Sequence, residues 1–394
     1  MDQINNSNPT GECGKSLVFV SGTGWDGYVR DQFRTRQGAL LKTFVETRQF
    51  AKVVLVVESG FRGNHKIQEI QISNLETKVI EIAITSRLPE VVIRPFGQHI
   101  LKHNYQLPTT AIEMLQKESP ELIWSYSVGL AARLKTITNA SLIYDVVDYR
   151  VNDENLTGLQ RYLWHKELES ACLCSDYVAC NGETAHQQLS QYAGNKCVLI
   201  RNGVTPERFH NNDPSTCRQN VGFVGVISKW IDFRLLQTLF ERLPGIHFDF
   251  YGIVKTAESS LRKLMLYPNF HWHGLLLPQD VPTFLSKCRV AIVPYEKKVV
   301  QGSTGDSMKI FEYLAAGTPV VSTNFQPHLD GKFSGLIQVC EDPEQFVTQI
   351  ERLYTAPPDP IWKAKAWDFV LANSWKSRVE EIIKLASEYR VTNH

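Results

Sequence analysis

The sequence lacks any run of eighteen apolar residues, and its opening stretch, Met1 to Asn8, is polar. A membrane-spanning helix and a secretory signal region are therefore not predicted. An excess of charge is also missing, since 42 basic residues face 41 acidic ones. Nucleic acid is for this reason not an expected partner. We expect a cytoplasmic protein.

Metal-binding and disulfide patterns are equally scarce. The eight cysteines include no CxxC pair, so reduced, buried thiols are expected. His99 and His103 stand four residues apart, as two metal ligands on a helix would, but no acid or third ligand lies near them in the sequence. We therefore predict no metal site. At 394 residues the chain is too long for one ordinary domain, which favours two doubly wound α/β units.

The stretch from residue 291 to residue 323 predicts a strand, a loop of small residues, a helix and a second strand. Ser307 is a suitable cap for the helix, and Gly317 followed by Thr and Pro is a typical stop. The loop before the helix, residues 301–306, would let the backbone approach a ligand closely. A loop of this kind that leads into a helix N-terminus suits a phosphate group.

Two charged residues of this helix could use its N-terminus. Lys309 lies in the first turn, where a cation opposes the helix dipole and requires an anion to offset it. Glu312 follows on the same face. We interpret the amides around Ser307 and Met308, with the Lys309 ammonium, as a diphosphate site, and Glu312 as an acceptor for ribose hydroxyls. The alternative is an exposed Lys–Glu pair that stabilises the helix by about 0.2–0.5 kcal/mol.

A second glycine-rich loop follows the first predicted strand. It carries Gly22, Gly24 and Gly27 in GxGxxG spacing, and the next strand ends in Glu58, where dinucleotide-binding folds keep their ribose acid. The bulky side chain of Trp25 in the tight turn speaks against that fold. An NAD-dependent oxidoreductase that uses this loop stays open as an alternative.

Residues 307–323 read SMKIFEYLAAGTPVVST, which resembles the donor-binding signature of the group 1 (family 4-like) glycosyltransferases of the GT-B fold, of the bacterial polysaccharide-biosynthesis type. The segment from Ile200 to Val204 with Phe209 resembles the one that opens their second domain, and Gly222 to Leu236 resembles its first strand, loop and helix. The resemblance implies two Rossmann-like doubly wound domains that face a cleft.

The composition of the first residues and the resemblance together predict four parts of the chain. They are a disordered leader over residues 1–15, an N-terminal acceptor-side domain over 16–203, a C-terminal nucleotide-sugar-binding domain over 204–365, and helices over 366–394 that return to the first domain. We expect Arg201 to Val204 to form the hinge between the domains.

The activity implied is that of a hexosyltransferase whose substrate is a nucleotide sugar, in the first instance a UDP-sugar such as UDP-glucose, with no cofactor. The acceptor would be a saccharide or a lipid-linked saccharide in cell-surface polysaccharide or glycolipid synthesis. Peripheral contact with the inner membrane is left open. Retention at the anomeric carbon is implied, and inversion is not excluded. A nucleotide-sugar 2-epimerase of the same fold and a non-enzymatic relative that binds nucleotide sugars remain alternatives.

The candidate donor-binding residues combine the helix with positions that match the family. They are Gly22, Gly24, Asn202, Gly225, Lys229, His273, Gly274, Thr304, Ser307, Met308, Lys309 and Glu312. Asp148, at the carboxyl end of a predicted strand, is the candidate catalytic carboxylate beside Lys309, and its neighbour Asp145 is interpreted as structural. The alternative for either aspartate is a helix N-cap or a pair with Arg150.

Two departures from the family pattern and one missing motif shape the expected chemistry. Val226 stands where the family usually has an arginine, and Thr304 stands where it has the first glutamate of a Glu-x7-Glu motif that ends at Glu312. The sequence also lacks DxD, the usual carboxylate pair for a divalent cation on a diphosphate. We therefore expect Lys309 and backbone dipoles to neutralise the diphosphate, and the transfer to be metal-independent.

Overall fold

The computed structural model describes residues 15–61, 66–72, 76–86, 107–147, 157–209, 218–297, 306–326 and 329–393. The strands in these ranges are β1 (Ser16–Ser21), β2 (Lys52–Phe61), β3 (Lys66–Ile70), β4 (Lys78–Ser86), β5 (Leu122–Ser125), β6 (Ser141–Val146), β7 (Tyr177–Cys180), β8 (Cys197–Leu199), β9 (Asn220–Val224), β10 (Phe248–Tyr251), β11 (Phe270–Trp272), β12 (Cys288–Val293), β13 (Val320–Thr323) and β14 (Ile337–Cys340).

The helices in the same ranges are α1 (Trp25–Arg30), α2 (Arg36–Glu46), α3 (Thr109–Glu118), α4 (Val128–Ile137), α5 (Gly158–Cys174), α6 (Glu183–Ala193), α7 (Phe233–Arg242), α8 (Glu258–Leu264), α9 (Val281–Lys287), α10 (Met308–Ala315), α11 (Leu329–Lys332), α12 (Pro343–Thr355), α13 (Pro360–Ala372) and α14 (Trp375–Asn393). None of these helices combines the length and the apolar character needed to cross a lipid bilayer.

The first sheet has the strand order β3-β4-β2-β1-β5-β6-β7-β8, and its pairings are parallel except that of β3 with β4. Successive residues of β1 point to opposite faces. Leu17 and Phe19 lie in one core, which includes residues of α2 and α14, while Val18 and Val20 lie in a second core with residues of α3 and α4. The apolar run therefore becomes a strand that is covered by helices on both faces.

The second sheet has the order β11-β10-β9-β12-β13-β14, and all its pairings are parallel. The chain extends this sheet in one direction from β9 to β11 and in the other from β12 to β14, so β9 and β12 flank the point where the order reverses. Crevices for ligands form at the carboxyl ends of strands at such a point. The two largely parallel, doubly wound sheets confirm the predicted α/β fold class.

The helix predicted between the two strand-forming runs is confirmed as α10, which connects β12 with β13. Gly317 has a φ of +62° just beyond the helix, as expected for a glycine stop. Ser307 occupies the N-cap position, but its side chain makes no capping hydrogen bond, contrary to its predicted role as a side-chain cap. The start of α10 is therefore without a side-chain cap in the described part of the chain.

The last two helices pack in different places. Ala366 and Val370 of α13 lie in the core of the second sheet. Val379 and Ile382 of α14 lie in the α2-side core of the first sheet, and Trp375 joins them there. The chain therefore passes to the first sheet near Ser374, later than the predicted residue 366.

Candidate functional site

Three glycines follow the adjacent strands β9, β10 and β11. Gly225, Gly252 and Gly274 have φ values of +156°, +145° and +75°, which side-chain-bearing residues rarely adopt. The Gly252 amide donates to the Gly274 carbonyl at 2.7 Å, and a Cβ built on Gly252 would lie 1.7 Å from the Gly225 oxygen. The carboxyl edge of the sheet is thus bare backbone, closely packed at Gly225 and Gly252 and open at Gly274.

Lys309, in the first turn of α10, extends across this glycine edge. A Cβ on Gly225 would lie 2.0 Å from Lys309 Cε, so only glycine leaves space for the lysine side chain. The Lys309 ammonium donates to the Tyr295 hydroxyl at 2.8 Å. Burial alone would lower the pKa of Lys309, but Tyr295 and the Glu312 carboxylate raise it above its ordinary value. The side chain is therefore a cation at neutral pH.

Glu312 lies one turn further along α10, and its partner comes from outside the helix. Its Oε1 lies 3.7 Å from Nη1 of Arg208, which belongs to the segment after the predicted hinge. Arg208 also donates to the Pro278 carbonyl. Burial raises the pKa of Glu312, while Arg208 and Lys309 act to lower it. Lys309 and Glu312 thus have separate partners, Tyr295 and Arg208, which disfavours the simple exposed intrahelical pair.

A cleft of about 350 Å³ opens beside Glu312, between the two sheets. Its walls come from α2, from residues 203–208, from the first turns of α10 and from the start of α14. Met308 and Glu312 line it from the second sheet, and Lys42 of α2 lines it from the first. The face of α10 that carries Glu312 is therefore open to a ligand held between the two halves of the chain.

Asn202 and Asp145 belong to a buried network of the first sheet. Arg36 contacts Asp145 with two hydrogen bonds of 2.9 and 3.2 Å and donates to Asn202 Oδ1 at 3.2 Å. Asn202 Nδ2 in turn donates to the Asp306 carbonyl at 2.7 Å. The structural interpretation of Asp145 is thus confirmed. The Asn202 amide is already engaged by protein groups, and its donor contact stays a prediction.

The loop of Gly22 and Gly24 lies at the start of α1. The Glu81 carboxylate accepts a hydrogen bond of 2.6 Å from the Trp25 amide, and a Cβ on Gly24 would lie 2.9 Å from the same oxygen. Glu58 accepts a hydrogen bond from Ser127. A carboxylate of the protein therefore occupies the place where a dinucleotide fold would bind a pyrophosphate, which disfavours the NAD alternative. Gly22 has open space around it.

The remaining predicted residues of the second sheet lie at its carboxyl edge. His273 Nε2 is 2.7 Å from Asp249 Oδ1, and its ring stacks on Tyr251 with centroids 4.7 Å apart. Its side chain is therefore held by protein groups, so a ligand would meet mainly the backbone of His273 and Gly274. Lys229 is exposed in the loop after β9.

Two predicted site residues, Asp148 and Thr304, lie outside the described residues, as do His99 and His103. In the parts of the chain that the structure describes, no group of three or more His, Cys, Asp or Glu side chains is arranged to hold a metal ion.

Sequence reasoning missed Tyr295, Arg208 and Asp306. Tyr295 follows Pro294 directly at the end of β12, so its place at the carboxyl edge was readable from the predicted strand. Arg208 and Asp306 gave no comparable signal, because their partners are distant in the sequence.

Comparison with known proteins gives a family match for the second sheet and relatives over the length of the chain. Residues 218–356 match the family model described as "Glycosyl transferases group 1". The chain is 25% identical over 390 residues to a putative teichuronic acid biosynthesis glycosyltransferase, TuaH, of Bacillus subtilis, which covers 93% of this chain and 96% of the relative.

Among solved structures, the chain is similar to one described as trehalose-6-phosphate from E. coli bound with UDP-2-fluoro glucose, with a TM-score of 0.67, 12% identity, and coverage of 94% of this chain and 99% of the other. It is also similar to Anabaena Alr3699/HepE in complex with UDP and glucose, with a TM-score of 0.63, 13% identity, and coverage of 95% and 100%. At these identities the structural likeness bears on the fold. Taken with the match of residues 218–356 and the relative from Bacillus subtilis, it supports a group 1 glycosyltransferase of the GT-B fold.

Proposed function

We propose that this glycosyltransferase moves a hexose from a UDP-sugar, such as UDP-glucose, to a saccharide or lipid-linked saccharide in cell-surface polysaccharide or glycolipid synthesis. The observation that carries the proposal is the Lys309 ammonium, held by Tyr295 against the bare backbone of Gly225 at the start of α10. The relatives support the donor and the pathway, because one is a putative teichuronic acid biosynthesis glycosyltransferase and two similar structures hold UDP or a UDP-sugar analogue.

The proposed donor site assigns a separate role to each group. Amides of the uncapped start of α10 and the Lys309 ammonium bind the diphosphate, because both present positive charge to it. Their effect grows as negative charge develops on the leaving diphosphate. Glu312, at the cleft, accepts hydrogen bonds from the ribose hydroxyls. The backbone of His273 and Gly274 faces the base, and Gly22, Gly24, Asn202, Lys229 and Thr304 remain proposed donor contacts.

The first domain supplies the acceptor side of the reaction in this proposal. Asp148 accepts the proton of the acceptor hydroxyl or orients the sugar. Binding of donor and acceptor between two domains brings the reacting atoms together and lowers the entropic part of the barrier. We propose retention at the anomeric carbon. We also propose metal-independent transfer, because Lys309 and backbone dipoles replace the divalent cation that a DxD motif would bind.

We propose the division at residues 203 and 204 as the functional boundary between acceptor and donor halves. The second sheet begins at Asn220 and is followed or flanked by Gly225, Lys309 and Glu312, whereas α2 and the start of α14, which pack on the first sheet, form the opposite wall of the cleft. We propose a cytoplasmic enzyme that contacts the face of the inner membrane peripherally, where a lipid-linked acceptor is presented.

Calorimetric titration with UDP, GDP, ADP and NADH tests the donor class. We expect UDP to bind most tightly, and the parent protein to release UDP from UDP-glucose when an acceptor saccharide is supplied. Binding of NADH without binding of UDP would contradict the proposal. Isomerisation of the UDP-sugar in the absence of an acceptor would instead identify a 2-epimerase. Binding of the UDP-sugar without hydrolysis or transfer would identify a non-enzymatic relative.

A further inference from the structure

Asp306 lies immediately before the N-cap of α10, and its carboxylate is buried between two cations. Arg201 Nη1 contacts Oδ2 at 2.8 Å, and Lys332 Nζ contacts Oδ1 at 3.0 Å. Arg201 follows β8, at the edge of the first sheet, whereas Lys332 ends α11 beside the second sheet. One carboxylate thus joins groups from both halves of the chain.

The backbone of Asp306 is held by the first half as well. Its amide donates to the Asn181 carbonyl at 3.2 Å, and its carbonyl accepts the Asn202 Nδ2 hydrogen bond at 2.7 Å. Asn181 follows β7, so its carbonyl belongs to the carboxyl edge of the first sheet. We call the contacts of Asp306 with Asn181, Arg201 and Asn202 the interdomain clasp.

The first-sheet side of the clasp is itself firmly supported. Arg36 donates to the Arg201 carbonyl at 3.1 Å and to Asn202 Oδ1 at 3.2 Å, and it is paired with Asp145. The side chains of Arg36 and Asp145 are 2% and 0% exposed, which means that solvent screens this pair only weakly. A displacement of Asp306 therefore has to break contacts with groups that cannot easily follow it.

We infer that Asp306 is a positioning residue that fixes the phosphate-binding end of α10 relative to the first domain. This inference rests on the proposed function, because it assigns the donor diphosphate to that end of α10. Asp306 need not touch the donor. It holds Ser307 and Lys309 at a set distance from the acceptor side, and a misplacement of about 1 Å can cost about 100-fold in rate.

The two salt bridges of Asp306 provide a matched pair of variants. Arg201→Gln removes the bridge that crosses between the domains, together with the pair that Arg201 forms with Glu183 of α6. Lys332→Gln removes the bridge within the second domain. Both leave the Asp306 backbone contacts in place. Arg201 is 23% exposed on its side chain, so its replacement by glutamine leaves an amide that water can reach.

Steady-state kinetics, UDP calorimetry and small-angle scattering of the three full-length proteins test the inference. For Arg201→Gln we expect kcat to fall about 10- to 100-fold, with a UDP dissociation constant within about threefold of the parent, because the donor groups themselves are intact. We expect a larger radius of gyration in the presence of UDP. Lys332→Gln should keep the parental kcat within about threefold, although its melting temperature falls.

Parental kcat and radius of gyration in Arg201→Gln would overturn the inference, as would equal losses of kcat in both variants. Asp306→Asn adds a double-mutant cycle with Arg201→Gln, and additive losses there would also count against a shared role. The proposed function fails separately, if the parent releases no UDP from a UDP-sugar. The scattering comparison reports on the clasp in either case, since it requires no turnover.

Discussion

Replacement of Lys309 by methionine removes the positive charge on which the donor site depends. Methionine has an unbranched side chain of similar length, so it should fill the space against Gly225 that the lysine now occupies. The hydrogen bond of 2.8 Å to Tyr295 and the attraction to a diphosphate are lost together. Helix α10 should remain folded, because methionine and lysine have similar helix propensities.

The expected loss follows from the type of bond that is removed. Hydrogen bonds to charged groups contribute about 1.5–3 kcal/mol. At about 1.4 kcal/mol per factor of ten, Lys309→Met should lower kcat/KM for the UDP-sugar about 10- to 150-fold. Tyr295→Phe should lower it less than Lys309→Met does, because the ammonium stays and keeps its attraction to the diphosphate.

The assay is the initial rate of UDP release over a range of UDP-sugar concentrations, together with UDP titration by calorimetry. Lys297→Met is a matched control, since Lys297 is an exposed lysine close in sequence whose ion-pair partner among the described residues is the exposed Glu341 at 3.5 Å. It should behave as the parent does. If Lys309→Met retains parental kcat/KM and UDP affinity while it melts at the parental temperature, the diphosphate site is wrong.

Three further outcomes follow from the same site. Gly225→Ala should weaken UDP binding in calorimetry, because its Cβ would lie 2.0 Å from Lys309 Cε and displace the ammonium, whereas Gly245→Ala, with nothing within 4 Å, should bind UDP as the parent does. Because burial raises the pKa of Glu312 above 4.5, the folded protein holds that proton more tightly than the unfolded chain, so the free energy of unfolding should fall as pH rises through the interval above 4.5. Glu312→Gln should remove this fall in thermal melts and weaken UDP binding. Treatment with EDTA should leave the rate of transfer unchanged, because the expected neutralising charge is Lys309.

Each of these outcomes has a clear opposite. Equal UDP binding by Gly225→Ala and the parent would mean that the glycine edge does not face the donor. If Glu312→Gln and the parent have the same melting temperature at every pH, burial of Glu312 does not cause the expected pH dependence of stability. Loss of transfer in EDTA that magnesium or manganese restores would show that a divalent cation takes part.

Local patterns in the sequence determined the regular elements around the site. The β-branched runs at β12 and β13 and the strong helix formers of α10 favour their observed structures by propensity alone. Gly317 ends α10 because glycine adopts positive φ without a steric cost. These features depend on near neighbours in the chain, and the resemblance to the group 1 family added the order of the two domains.

Tertiary structure alone decided which groups meet at the site. Tyr295 joins Lys309, Arg208 joins Glu312, and Asp306 joins the two halves of the chain, although these partners are far apart in sequence. Likewise Glu81, 56 positions away in sequence, accepts a hydrogen bond from the Trp25 amide in the glycine-rich loop, which disfavours the hypothesis that this loop binds a dinucleotide. Such contacts are fixed by strand order and by the crossing of the chain between sheets, since side chains separated by many residues meet only when the sheets they belong to have formed.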